Sequence, residues 1–150
     1  MKALIPLPRA CGLYKPVFTA PALRLPLVGY PLWAGFPSPA DDYVEGELDL
    51  NELLIRHKAA TFFCRVKGNS MEAAGIFNGD LLIVDRAVTP ASGQIVVASI
   101  DGEFVVKRLV RAGTELRLEA ASPEYAPILL QDGQELTIWG VVTGSVRQFR

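Results

Sequence analysis

Short runs of alternating or continuous apolar residues follow one another from residue 61 onward, a pattern typical of β-strands. These runs cover residues 62–67, 81–84, 95–100, 104–110, 116–119 and 136–142. The dipeptide Asp101-Gly102 separates two of them and favours a two-residue hairpin, because both of its positions must adopt positive φ. The pattern therefore predicts a mainly β fold with short helices.

One segment before these strands has a helical pattern. Asp49-Leu50-Asn51-Glu52 resembles a capping box, in which Asp49 caps the helix and Glu52 reaches back to it. Leu50, Leu53, Leu54 and His57 then follow at helical spacing. We predict a helix of about two turns that ends near Lys58.

The first 40 residues form a proline-rich arm with eight of the 11 prolines of the chain. Each proline ring removes a backbone donor and disfavours helix in the residue before it. The arm also carries large apolar side chains, so we expect an extended segment that lies on its own body or on a partner. An unattached apolar tail is the alternative. We predict two parts, the arm at 1–40 and a β domain at 41–150.

Charge follows the same division. The chain has 15 basic and 16 acidic residues, but residues 1–40 hold four bases and no acid. A net charge of −1 argues against a protein that holds nucleic acid through its phosphates, and we expect no sequence-specific DNA binding. The 150 residues, half of them hydrophobic, suffice for one core of ordinary size.

Cysteine and histidine are too few for a disulfide framework or a zinc site. The chain has Cys11, Cys64 and one histidine, His57, so we expect no metal and no cofactor. The start of the chain lacks the apolar run of a signal peptide, and no run approaches the ~18 apolar residues of a membrane span. We therefore expect a cytoplasmic protein without a membrane anchor.

A serine lies where a strand runs into a helical turn, in Gly68-Asn69-Ser70-Met71. Such a serine has two interpretations. It is either the cap of the turn, or a nucleophile beside N–H groups that stabilise an oxyanion. The backbone N–H groups of Ser70 and Met71 are the candidates for that second role.

A nucleophilic serine needs a base, and the sequence offers two candidates. A triad would use His57, which we place near a helix end, where a histidine more commonly complements the helix dipole. Lys107 shares a strand face with Val105 and Leu109, where burial would lower its pKa and let the neutral amine accept a proton. The alternative is a lysine on an exposed strand face that extends to water.

Three stretches in this order resemble the self-cleaving LexA/UmuD family. They are the serine motif at 66–71, the glycine-aspartate turn and strand at 75–85, and the lysine strand at 101–109. The resemblance implies a catalytic β fold like that of LexA and the signal peptidases. It also implies that Ser70 is the nucleophile and Lys107 the general base.

The family cleaves itself just before the catalytic body, often at an Ala-Gly bond. Of the three Ala-Gly pairs, only Ala34-Gly35 lies in the arm, and the residues after it resemble the UmuD branch. No helix-turn-helix fits into the proline-rich arm, which also favours that branch. The resemblance implies a homodimeric subunit of an error-prone polymerase in the SOS response. Its implied partners are a UmuC-like Y-family polymerase subunit and a RecA–single-stranded DNA filament that triggers cleavage.

Two other functions compete with this one. A signal-peptidase-like enzyme would use the same Ser-Lys chemistry but would need a membrane anchor, which we do not find in the sequence. A non-catalytic polymerase-binding module would share the fold without the reaction. A test for self-cleavage distinguishes the binding module from the peptidase.

Overall fold

A computed structural model describes residues 21–28, 44–131 and 133–149. The described chain falls into two compact units, a small one that ends at Arg56 and a larger one that begins at His57. None of the helices described in these ranges has the length and apolar character needed to span a membrane. The predicted arm boundary at residue 40 lies outside the described residues.

The small unit is a two-stranded antiparallel ribbon followed by one helical turn. Strand β1 (Leu25–Val28) pairs with β2 (Val44–Leu48), and Leu25 lies opposite Leu48. Extended backbone in the proline-rich arm is therefore confirmed for this segment, because prolines disfavour helix while an edge strand tolerates them.

Helix α1 (Leu50–Leu54) is shorter than the sequence predicts. Asp49 caps it as expected, accepting a hydrogen bond from the N–H of Asn51 at 2.8 Å. The carboxylate of Glu52 pairs with Arg24 at 3.4 Å. Ile55 is extended (φ −116°, ψ 98°) and ends the helix, so the prediction of a helix to Lys58 is wrong. A separate 3-10 turn covers Lys58–Ala60.

The larger unit is one antiparallel sheet of seven strands, in the order β3-β4-β9-β5-β6-β7-β8. Its strands are β3 (Thr61–Arg65), β4 (Leu81–Asp85), β5 (Ile95–Ile100), β6 (Glu103–Ala112), β7 (Glu115–Glu119), β8 (Ile128–Leu129) and β9 (Leu136–Val146). All six predicted strands are confirmed, and with them the mainly β class. The two-residue β8 and the last four residues of β9 were not predicted.

The hairpin between β5 and β6 fixes the phase of the lysine strand. Asp101 and Gly102 have φ of 49° and 85°, as the two-residue turn requires, and Ile100 pairs with Glu103 across it. The same register places Lys107 opposite Val96, which has no exposed surface. The turn residues therefore decide which β6 side chains face the interior.

Two groups of buried side chains form the core of this unit, and β5 contributes to both. Its residues alternate, with Val96 and Ala98 in one group and Val97 in the other, as the two-residue period of a strand requires. The group with Val97 also contains Met71, which is 2 % exposed. The core thus anchors the residue that follows Ser70.

Strand β9 passes unusually close to β4 at Gly140. A Cβ atom at this position would lie 2.7 Å from Val84 Cγ1 and 3.0 Å from the carbonyl oxygen of Asp85. The pairing of β9 with β5 is irregular at the same place, between Val97 and Ala98. Glycine is therefore required here by the close approach of two strands.

We predict that Gly140→Ala destabilises the fold by about 1–3 kcal/mol, because Val84 and the β4 backbone must move to admit a methyl group. Thermal unfolding followed by circular dichroism measures the change. Gly46→Ala is the matched control, since a Cβ in that strand would meet nothing within 4 Å. Equal melting temperatures for the two variants would contradict the steric explanation.

Candidate active site

Ser70 lies in the turn that leaves the end of β3. Gly68 makes the turn with φ of 98°, and its N–H donates to Asn78 Oδ1 at 2.9 Å. A 3-10 turn, Glu72–Ala74, follows, and its N-cap is Met71, without a side-chain capping bond. The prediction of a helical turn after the serine is confirmed, but the interpretation of Ser70 as its cap is wrong.

Lys107 extends from β6 to Ser70. Its Nζ donates a hydrogen bond of 2.7 Å to Ser70 Oγ, across 37 residues of sequence. The side chain is partly buried, and this desolvation lowers the pKa of Lys107 below its ordinary value. An exposed lysine that extends to water, the alternative interpretation, does not match this placement.

The Ser70–Lys107 contact has the geometry that activates a nucleophile. The hydroxyl and the amine already lie at hydrogen-bond distance, so a neutral Lys107 could remove the hydroxyl proton without moving. A lowered pKa increases the fraction of neutral amine near neutral pH. The pair can therefore supply a serine nucleophile and its base without a histidine.

The backbone N–H groups of Ser70 and Met71 are the two predicted oxyanion donors. Among the described residues, no backbone or side-chain acceptor partners the N–H of Ser70 or of Met71. The Ser70 carbonyl oxygen, in contrast, accepts from the N–H of Ala121 at 2.9 Å. Neighbouring backbone donors beside a nucleophile, without a partner in the described part of the chain, are the kind of group that stabilises an oxyanion.

An open groove of about 890 Å³ runs past the serine and the lysine. The end of β3, the Ser70 turn and the first half of β6 form its walls. Arg65, Lys67 and Glu103 bring both signs of charge to it, and Phe104 and Val106 line it with apolar surface. A groove of this size and mixed character suits an extended peptide.

His57 takes part in a different pair. Its Nδ1 lies 2.6 Å from Asp85 Oδ2, and Asp85 also accepts from the N–H of Ala87 at 2.8 Å. Asp85 is buried, whereas about half of the His57 side chain is exposed. Because α1 ends at Leu54, the prediction that His57 lies at the end of that helix is wrong. Ser70 has Lys107 as its partner, so the triad alternative finds no support in this geometry.

Tyr125 is a neighbour of the Ser70–Lys107 pair that the sequence did not indicate. Its hydroxyl donates to Oδ1 of Asn69, and its ring centroid lies 5.7 Å from Lys107 Nζ. It follows β7 in a loop, 56 residues after Asn69. The Ser-Pro dipeptide before it predicts a turn but gives no indication of what the turn contacts.

An ion pair holds the loop that follows the Ser70 turn. Arg147 donates from Nε and Nη2 to the two carboxylate oxygens of Asp80, at 2.7 and 2.6 Å, and from Nη2 to the carbonyl oxygen of Gly75. Asp80 is 2 % exposed and also accepts from the N–H of Phe77. The hydrogen bonds from Arg147 outweigh desolvation and lower the pKa of Asp80 to about 2.

The predicted cleavage site, Ala34-Gly35, lies outside the described residues. Its assignment therefore stays a prediction. The structure brings the side chains of Ser70 and Lys107 together, and their catalytic roles also stay predictions.

Residues 26–143 match the Peptidase S24-like family. Protein ImpA of Salmonella typhimurium is 52% identical over 118 residues, which cover 78% of this chain and 79% of ImpA. Protein MucA of Escherichia coli is 45% identical over 113 residues, 75% of this chain and 77% of MucA. LexA repressor 2 of Geobacter sulfurreducens is 39% identical over 129 residues, 85% of this chain and 62% of the repressor.

We predict that the stability of the fold decreases as the pH falls from about 4 towards 2, in part through Asp80. Its pKa in the folded chain, about 2, lies below its ordinary value of 3.8, so its contribution is complete above that value and is lost as the pH falls through 2. Asp80→Asn should be less stable at neutral pH and lose less stability on acidification. Chemical denaturation at a series of pH values measures this.

The control for this experiment is Glu124→Gln, at an exposed carboxylate. It should keep the pH dependence of the parent chain. If Asp80→Asn and the control have the same dependence, the Asp80–Arg147 pair does not set the acid stability.

Proposed function

Because this chain belongs to the Peptidase S24-like family, as a UmuD-like member, we propose that it is a serine endopeptidase that cuts its own Ala34-Gly35 bond. Its membership confirms the resemblance to the LexA/UmuD family, the fold class that this implied, and the assignment to SOS mutagenesis. Self-cleavage rests on one observation, the 2.7 Å hydrogen bond between Lys107 Nζ and Ser70 Oγ.

The first half of the reaction forms an acyl-enzyme. Ser70 Oγ attacks the carbonyl carbon of Ala34 while its proton moves to the neutral amine of Lys107. The tetrahedral intermediate then collapses, the bond between the Ala34 carbon and the Gly35 nitrogen breaks, and Lys107 returns the proton to that nitrogen. Residues 35–150 leave with a new amino terminus, and Ala34 remains as an ester on Ser70.

Water completes the reaction. Lys107 takes a proton from a water molecule, whose oxygen attacks the ester carbon of Ala34, and the proton then returns to Ser70 Oγ. Residues 1–34 leave with a carboxylate, and the serine is restored. In both halves, the N–H groups of Ser70 and Met71 donate to the oxyanion of the Ala34 carbonyl.

Cleavage changes the charge of the protein as well as its length. All four bases of the arm lie before Ala34-Gly35, so the released body keeps 11 bases and 16 acids. In the proposed function this body, residues 35–150, acts as a homodimer that joins a UmuC-like Y-family polymerase subunit. A filament of RecA on single-stranded DNA promotes the cut.

We predict that Ser70→Ala and Lys107→Ala each reduce self-cleavage at least about 10³-fold, because nucleophile and base act as a unit. The purified chain is incubated at mildly alkaline pH, with and without RecA filament, and mass spectrometry identifies a fragment that begins at Gly35. Ser145→Ala and Lys58→Ala, at exposed positions away from the groove, are the matched controls and should cleave normally.

A chain that yields no such fragment even with RecA filament would support the alternative function, a non-catalytic polymerase-binding module. A fragment that persists in Ser70→Ala would instead exclude Ser70 as the nucleophile. The two results separate an absent activity from a misassigned residue.

We further predict that the rate of self-cleavage rises with pH and that its midpoint lies below the ordinary pKa of lysine. Desolvation lowers the pKa of Lys107, and only the neutral amine can accept the serine proton, so activity grows as the pH passes through this pKa. Fragment formation measured from neutral to strongly alkaline pH gives the midpoint. Lys107→Arg should be inactive at every pH tested, because a guanidinium stays protonated.

A midpoint at or above the ordinary pKa of lysine would contradict a desolvated base. Activity in Lys107→Arg would show that another group removes the serine proton.

A further inference from the structure

Tyr125 contacts both sides of the Ser70–Lys107 pair. Its hydroxyl donates to Oδ1 of Asn69, the residue before Ser70, and its ring centroid lies 5.7 Å from Lys107 Nζ. Among the described residues, Tyr125 is the side chain that joins the serine turn to the lysine in this way. The catalytic steps above make no use of it.

The loop that carries Tyr125 is itself fixed to the serine turn. The N–H of Ala121 donates to the Ser70 carbonyl oxygen at 2.9 Å, and Ser122 to Tyr125 form a turn closed by an N–H donation of 3.2 Å. Pro123 occupies the second position of this turn, where its fixed φ is favourable. The backbone therefore holds the tyrosine beside Asn69 and Lys107 before any substrate arrives.

The hydroxyl and the ring have separate physical effects. The hydroxyl restrains the side chain of Asn69, which otherwise lies exposed on a tight turn. The ring acts on Lys107 in two opposite ways. Its π-face attracts the ammonium form, whereas its bulk excludes water and so favours the neutral amine.

The attraction of the ring for the ammonium form is weak here. At 5.7 Å the Lys107 Nζ lies close to the limit of about 6 Å for a cation–π attraction. Desolvation is the cause that lowers the pKa of Lys107. Arg65, Lys67 and Glu103 are the other charged groups that line the groove, and they carry both signs.

We propose that Tyr125 is a positioning residue for self-cleavage, whose hydroxyl holds the Ser70 turn through Asn69 and whose ring shields the Lys107 amine from water. This inference rests on the proposed function. Tyr125 contacts Asn69, the residue before the nucleophile, and Lys107, the base, but it does not itself react.

The test compares the full chain with Tyr125→Phe, Tyr125→Ala, Asn69→Ala and the double variant Tyr125→Phe/Asn69→Ala. The rate of formation of the fragment that begins at Gly35 is measured from neutral to strongly alkaline pH, with melting temperatures as a check of folding. Tyr125→Phe should slow cleavage about fivefold with an unchanged pH midpoint, because one hydrogen bond is lost and the ring stays.

Two further results are expected. Tyr125→Ala should move the midpoint to higher pH, because water reaches Lys107. In the Asn69→Ala background, Tyr125→Phe should have no further effect on the rate, because the hydroxyl acts through Asn69. A purely structural role would lower the melting temperature without moving the midpoint or coupling the two substitutions.

Equal rates for Tyr125→Phe and the parent chain would overturn the role of the hydroxyl. An unchanged or lower midpoint for Tyr125→Ala would overturn the role of the ring. If the parent chain itself yields no fragment, the proposed function fails and the role of Tyr125 fails with it. Cleavage by the parent chain separates these outcomes.

Discussion

The hydrogen bond between Ser70 and Lys107 is the contact that the rest of the larger unit must hold in place. A serine hydroxyl and a lysine amine are weak reagents in water, and they cooperate only if both are held at contact distance with little water between them. Ser70 lies in a turn, where side chains are commonly mobile, and Lys107 has a long flexible stem. Their distance of 2.7 Å therefore depends on how firmly the surrounding chain holds each of them.

Each partner is held from the interior of the fold. Met71 inserts into the core directly after Ser70, and the Asp80–Arg147 pair fixes the loop beyond it. On the opposite side, Lys107 lies across from the fully buried Val96. The buried Asp80 carboxylate selects a single loop conformation, since breaking its pair with Arg147 would leave a charge buried without a partner.

The sequence predicted those parts of the site that depend on residues close together in the chain, such as turn residues and strand alternation. Asp101-Gly102 determined a hairpin, and the hairpin determined that Lys107 shares its face with buried residues. The helix after Asp49 was predicted too long, because His57 continues the helical spacing of the leucines before it although the backbone of Ile55 is extended. Tyr125 and Arg147 could not be predicted, because their partners lie 56 and 67 residues away and only the completed sheet brings them together.

The order of the strands has a consequence for the time at which the protein can act. Strand β9 is the last of the described strands to be synthesised, yet it lies in the sheet between β4 and β5 and joins the half that carries Ser70 to the half that carries Lys107. A nascent chain that does not yet include β9 can form the β3–β4 and β5–β6 hairpins, but it lacks the strand that lies between them. The serine and the lysine therefore meet only after β9 has been made, so any chemistry that needs both side chains waits for this strand.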